Sequence, residues 1–415
     1  MHKQSSVLAM SIIGVLFFIF GFVTWLNGSL IPYLKVICHL NEFEALFVTF
    51  AFYIAYTVMA LPMAVILEGT GYKKGMALGL LVMSLGALLF IPAALSGEFL
   101  VFLTALFTLG TGLTILQTAS NPYIVLVGPI ESAAMRISIM GLINKSAGVL
   151  APLLFTAFIL ADIGFGVDLE SINTQELAHK LISPYMTMAG ILFLLSCFVW
   201  FSSLPDVKFE DDPYDKAGIF AFPRVVLGAL ALFFYVGIEV IAGDTIGLYG
   251  QSLGMSNATA LTAYTMGFMV VGYLAGVFFI PKYLSQEKAL VLSALFGIVF
   301  LFGVAFSSAT ESHIITGLPD SVAFVAMLGL ANALVWPTIW PLALKNLGKH
   351  TAKGSALLIM AIAGGAVVPL VFGKVAQLTQ DMQMSYLIGI ICYAVILMYG
   401  LQWHKMTGWR KSWQK

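Results

Sequence analysis

Charge is scarce in this chain. Of 415 residues, 20 are lysine or arginine and 20 are aspartate or glutamate, so the formal net charge is zero. That balance leaves no basic stripe for nucleic acid. Cysteine is nearly absent: Cys38, Cys197 and Cys392 are scattered and form no Cys-x-x-Cys pair. A disulfide framework or a thiolate metal site is therefore not expected. The six histidines fall near the ends of apolar stretches or in loops, with no nucleophile beside them. Catalysis is not expected, and no organic cofactor is called for. What fills the chain is apolar: 60% of it is hydrophobic. Soluble domains do not carry this much continuous apolar sequence.

Twelve apolar stretches emerge, at about 7–34, 43–67, 75–95, 99–127, 137–161, 183–204, 223–251, 258–281, 289–307, 319–344, 354–376 and 384–404. Each is long enough to cross a bilayer as a helix. The first is too long for a signal-peptide core and lacks a clear cleavage site, so it reads as a retained helix. With a cytoplasmic N-terminus, only Lys35, Lys180 and Lys374 fall outside and Lys145 lies within a span, which leaves sixteen of the 20 basic residues inside. That is the positive-inside pattern. Both termini are then cytoplasmic, in a multi-pass protein of the cell (inner) membrane. The stretch Pro205–Pro223, with Glu210, Asp211, Asp212 and Asp215, divides the spans six and six. The expected organisation is a bundle over 1–204, a cytoplasmic linker over 205–222 and a second bundle over 223–415.

The halves repeat each other. At an offset of about 217 residues, Ala147-Gly148-Val149-Leu150-Ala151-Pro152 lies over Gly364-Gly365-Ala366-Val367-Val368-Pro369. Ile19-Phe20-Gly21 in helix 1 lies over Tyr235-Val236-Gly237 in helix 7, and helices 4 and 10 are expected to break at Pro122 and Pro337. Parallel six-helix repeats with a site between them near mid-membrane describe the major facilitator architecture. The expected fold class is thus all-α membrane protein, with twelve transmembrane helices in two pseudo-symmetric bundles. Glu68-x-x-Gly71-x-Lys73-Lys74, between helices 2 and 3, resembles that superfamily's loop motif. It reads as a gate clasp, with a solvated turn as the plainer alternative.

Polar side chains inside the spans are the candidates for function, because an ionisable group at membrane depth is costly and survives where it has a job. Helix 1 carries Trp25, Asn27, Gly28 and Ser29; helix 4 carries Gln117, Thr118, Ser120 and Asn121; helix 5 carries Asn144 and Lys145. Helix 7 carries Tyr235, Glu239 and Asp244, and helix 10 carries Asn332, Trp336 and Trp340. Amides and carboxylates suit sugar hydroxyls, and an indole suits the CH face of a pyranose. The substrate-binding set is Asn27, Gln117, Asn121, Asn144, Tyr235, Asn332 and Trp336. For the amides, the alternative is a helix–helix hydrogen bond; for Trp336 it is lipid or packing contact. Lys145 lies roughly 12 Å in from the cytoplasmic end of its helix, at a depth like that of Gln117. Glu239 and Asp244 sit five residues apart, roughly 140° around the helix, so they do not face one cavity together. Lys145, Glu239 and Asp244 form the charge-coupling set, with Glu239 or Asp244 the place for a sodium ion. A permanent ion pair of Lys145 with a carboxylate of the other half is the structural alternative.

With these residues the chain resembles the fucose and glucose/galactose porter branch of the major facilitator superfamily. The signposts are Leu26-Asn27-Gly28-Ser29-Leu30-Ile31-Pro32, Gln117-Thr118-Ala119-Ser120-Asn121-Pro122-Tyr123, Tyr235-Val236-Gly237-Ile238-Glu239 and Trp336-Pro337-Thr338-Ile339-Trp340. The resemblance implies cation-coupled import of a monosaccharide by alternating access, with a proton or sodium as the coupling cation and a monomer as the working unit. Fucose-transporting members carry an aspartate at the position of Gly28 and a glutamate at that of Gln117, so their proton coupling does not carry over. A glucose- or galactose-like hexose fits better. The alternative within the same fold is a drug or organic-ion/proton antiporter, which would favour a larger apolar cavity and fewer amides.

Overall fold

The computed structural model describes residues 3–126, 133–160, 173–202, 204, 218–280, 282–345, 347 and 350–409. Among them, twelve helical spans are long and apolar enough to cross a membrane. They are α1 (Ala9–Ile37), α2 (Glu42–Ala60), α3 (Gly69–Ser96), α4 (Phe99–Ser120), α5 (Ile139–Phe158), α6 (Thr174–Phe201), α7 (Pro223–Ser252), α8 (Ala258–Phe279), α9 (Gln286–Phe306), α10 (Asp320–Leu344), α11 (Lys353–Thr379) and α12 (Met382–Lys405). A helix is forced here because hydrocarbon offers no partner for an unpaired backbone amide or carbonyl. Leu194, Phe201, Phe278 and Leu378 point out of the spans, where acyl chains are their proper surroundings.

Local chemistry sets the ends and kinks. Asn41 opens α2 through a capping box: its side chain accepts from Glu44 N, and the Glu44 carboxylate accepts from Asn41 N, each at 2.9 Å. Helix continues from α2 into α3 with one break at Gly71 (φ 76°, ψ 170°). Only glycine enters that region freely, which explains the glycine of the loop motif. The sixth span begins earlier than the expected 183: a helical turn starts at Thr174, capped by Asn173, while residues 161–172 lie outside the described set. The expected linker lies mostly outside it as well.

The two proline breaks behave differently. In α10 the helix ends at Asn332 and resumes at Val335, so the interruption falls about one turn before Pro337. That placement follows from proline chemistry, since the ring removes the bond to the carbonyl four residues earlier and clashes with it. Helix 4 departs from expectation and stays helical without interruption from Phe99 to Leu126. Neighbouring helices and hydroxyls can absorb one lost bond in a membrane span.

The chain forms two compact units: Met1–Phe209 with Gly243–Met266, and Glu210–Ala242 with Gly267–Lys415. The ladder of α7 passes from one to the other between Ala242 and Gly243. Very close helix crossings occur in both units. In the first, a Cβ at Gly21 of α1 would overlap the Asn144 carbonyl of α5; in the second, a Cβ at Gly364 of α11 would overlap the Phe233 carbonyl of α7. Glycine is what lets backbones approach this closely.

Candidate substrate and coupling site

In the first unit, Asn27 is 2% exposed on α1, and its Nδ2 has no hydrogen-bond partner in the protein. A buried amide with a donor to spare is suited to a ligand. Gln117 of α4 donates from Nε2 to the Tyr56 hydroxyl of α2 at 2.9 Å. Asn144 donates to the Phe17 carbonyl of α1 at 3.3 Å. Its amide therefore serves the helix–helix bond that was the alternative reading. Lys145 is buried, and its ammonium stands over the Trp25 indole, 4.4 Å from the ring centroid. Asp244 is fully buried in the same unit. Nearby, Ser29 Oγ donates to the Thr259 carbonyl, Thr156 and Thr259 share a hydroxyl–hydroxyl bond of 2.9 Å, and Thr262 donates to the Gly243 carbonyl at 2.7 Å. A side chain at Gly28 would overlap Thr262 Oγ1. An aspartate at position 28 has no room in this arrangement.

The second unit holds the aromatic set. Tyr235 donates to Glu239 Oε1 at 2.8 Å, one turn along α7, and both side chains are buried. Tyr235 lies 6.3 Å from Trp336, and Trp336 lies 5.5 Å from Trp340, centroid to centroid. The Tyr393 hydroxyl of α12 donates to Asn332 Oδ1 at 2.8 Å, while Asn332 Nδ2 and Trp340 Nε1 have no protein partner. A carboxylate fixed by a phenol, beside two tilted indoles, can grip a polyol through hydroxyls at its rim and CH groups on its face.

Glu239 and Asp244 fall in different units, Glu239 with Tyr235 and Asp244 with Asn27. The side chains of Glu68 and Asn121 lie outside the described residues. The lysines of the loop motif have local partners: Lys73 Nζ donates to the Ser202 carbonyl at 2.5 Å, and Lys74 stands 5.9 Å from the Trp200 ring. Both close the C-terminal end of α6, where a cation meets the helix dipole favourably. Among the described residues, no three His, Cys, Asp or Glu side chains cluster as a metal site.

Sequence reasoning passed over Tyr56, Trp340 and Tyr393 as site residues. Phenols and indoles inside otherwise aliphatic spans were the available signal, because a buried hydroxyl or N–H needs a partner.

The sequence profile of the Major Facilitator Superfamily matches residues 13–369. The chain belongs to the major facilitator superfamily. It is 35% identical to a glucose/galactose transporter of Brucella abortus, across 95% of this chain and 93% of the relative. It is 27% identical to the L-fucose-proton symporter of Escherichia coli, across 96% and 93%. The crystal structure of the Escherichia coli fucose:proton symporter superposes with a TM-score of 0.73 at 25% identity, covering 97% of this chain and 100% of that one. The twelve-helix fold expected from hydropathy is thus a major facilitator fold.

Proposed function

We propose that this protein is a secondary transporter that imports a glucose- or galactose-like hexose with a cation, by alternating access, and performs no catalysis. The observation that carries this reading is the buried Tyr235–Glu239 hydrogen bond beside Trp336. A carboxylate and an aromatic face in the middle of membrane spans are sugar-binding chemistry and have no purpose in a lipid anchor. The names of its relatives support the same substrate class. In this reading Asn27, Gln117, Tyr235, Asn332 and Trp336 contact sugar, with Asn121 a further candidate. Asn144 contributes through the α1–α5 crossing rather than directly. Glu239 or Asp244 receives the coupling cation, a proton or sodium, and Lys145 responds to it.

The protein works as a monomer in the cell (inner) membrane with both termini cytoplasmic, and its bundles are 1–204 and 223–415, joined by a linker. Lys73, Lys74 and Glu68 act at the cytoplasmic gate. The coupling assignment is tested in proteoliposomes carrying Glu239→Gln or Asp244→Asn. At least one variant loses accumulation of labelled hexose against its gradient while keeping exchange at saturating hexose. If both still concentrate sugar, neither carboxylate couples.

A further inference from the structure

Trp25 sits in a seat built from two other helices. A Cβ at Gly148 of α5 would come within 2.6 Å of Trp25 Cδ1, and a Cβ at Gly243 of α7 would overlap Cζ3. The five-membered edge of the indole therefore lies in one backbone notch and the six-membered edge in another. Met266 of α8 packs against the same two notches. The ring is 1% exposed, and the Lys145 ammonium rests on its face. Lys145 and Gly148 are three residues apart and share one side of α5. Gly243 is the residue before Asp244 on α7. One rigid plate thus touches the cation on α5 and the backbone of α7 beside a buried acid.

From this geometry we propose that Trp25 is a positioning residue for cation coupling: its indole face holds the Lys145 ammonium and transmits to it the position of α7 at Gly243. The proposal rests on the transport reading above. A desolvated ammonium over an indole gains about as much as a tenfold equilibrium shift. When the Gly243 stretch of α7 moves away from α1, the ring loses its outer notch, and the ammonium loses a fixed plane to rest on. Interiors packed this tightly switch between discrete arrangements instead of yielding smoothly. Displacement of α7 therefore changes the energy of the charge on Lys145 through the ring on which it rests.

The test uses the full chain in proteoliposomes with two readouts: hexose counterflow, which needs no gradient coupling, and hexose accumulation under an imposed cation gradient. Trp25→Phe keeps an aromatic face and retains accumulation. Trp25→Leu removes the face and lowers the accumulation ratio about tenfold, far more than it lowers counterflow. Gly243→Ala pushes the plate and reproduces the leucine phenotype. Trp25→Phe combined with Gly243→Ala restores accumulation, because phenylalanine lacks the second, fused ring that carries the indole to the Gly243 notch.

Unchanged accumulation in Trp25→Leu and Gly243→Ala overturns the proposal. So does equal loss of counterflow and accumulation in Trp25→Leu, or failure of the double variant to recover. Should Trp25→Leu not fold, the Gly243→Ala pair alone decides. An unaltered protein that performs neither counterflow nor accumulation overturns the transport reading itself, a result distinct from all of these.

Discussion

Tyr235→Phe removes a single oxygen, and the consequence can be worked out. The Tyr235 hydroxyl donates to Glu239 Oε1 at 2.8 Å, with Tyr235 fully buried and Glu239 only 7% exposed. A hydrogen bond to a charged group contributes about 1.5–3 kcal/mol net, and leaving a buried acceptor unsatisfied costs a similar amount. If the bond holds the carboxylate in the orientation that sugar hydroxyls meet, that energy leaves the binding step. At about 1.4 kcal/mol per tenfold, hexose affinity then falls by roughly 10- to 150-fold. Glu239→Gln falls by a comparable factor, because the phenol loses its anionic acceptor. The double variant binds no worse than the weaker single one, since both changes break the same bond. The assay is equilibrium binding of galactose to purified protein at fixed pH and sodium, analysed as a double-mutant cycle. Coupling of less than about 0.5 kcal/mol, the level of additive behaviour between independent sites, would refute the claim that Tyr235 acts through Glu239.

Two further predictions concern the frame around the site. Gly21→Ala and Gly364→Ala press a methyl into a backbone carbonyl on the facing helix, and each costs about 1–3 kcal/mol of stability in thermal or detergent unfolding. Gly190→Ala has nothing within 4 Å of its new methyl and stabilises by about 0.4–1 kcal/mol; equal effects at all three positions would contradict the packing account. In the loop before α10, the Asp320 carboxylate accepts from His313 N at 2.7 Å and meets the ring Nδ1 at 2.8 Å. The hydrogen bond that His313 donates to Asp320, helped by the carboxylate's charge, raises the His313 pKa from its ordinary 6.5. A raised folded value means that the pair stabilises the loop fully below pH 6.5 and loses that contribution as pH rises through the folded value. An NMR titration therefore finds the His313 midpoint above the ordinary value in the unaltered protein and back near it in Asp320→Asn.

Hydropathy made the twelve spans legible, because hydrocarbon thickness sets their length and few charges fall inside them. The repeat was legible too, and Gly21 and Gly364 now mark its close crossings. Proline positions were less informative than they looked. Pro337 expressed its break at Ala333–Leu334, one turn upstream, while the helix around Pro122 stayed whole. Partners were least legible. The aromatic plane under Lys145 went unread: its ammonium stands over the indole of Trp25, which sits in a seat made by glycines at positions 148 and 243. Nothing local to residue 25 announces that seat, because the notches are backbone features of helices far away in sequence. Asn144 read as a sugar ligand by residue type, but its position at the tight α1–α5 crossing turns its amide to the Phe17 carbonyl. Lys73 was found by its motif; the Ser202 carbonyl that receives it carries no side-chain signature.

The most direct measurement is gradient-driven uptake by the purified, unaltered protein in sealed proteoliposomes. With an inward proton or sodium gradient, labelled galactose or glucose should rise above its external concentration and leak back when an ionophore collapses the gradient. Uptake no greater than that of protein-free vesicles, under both gradients and with both sugars, would contradict the account.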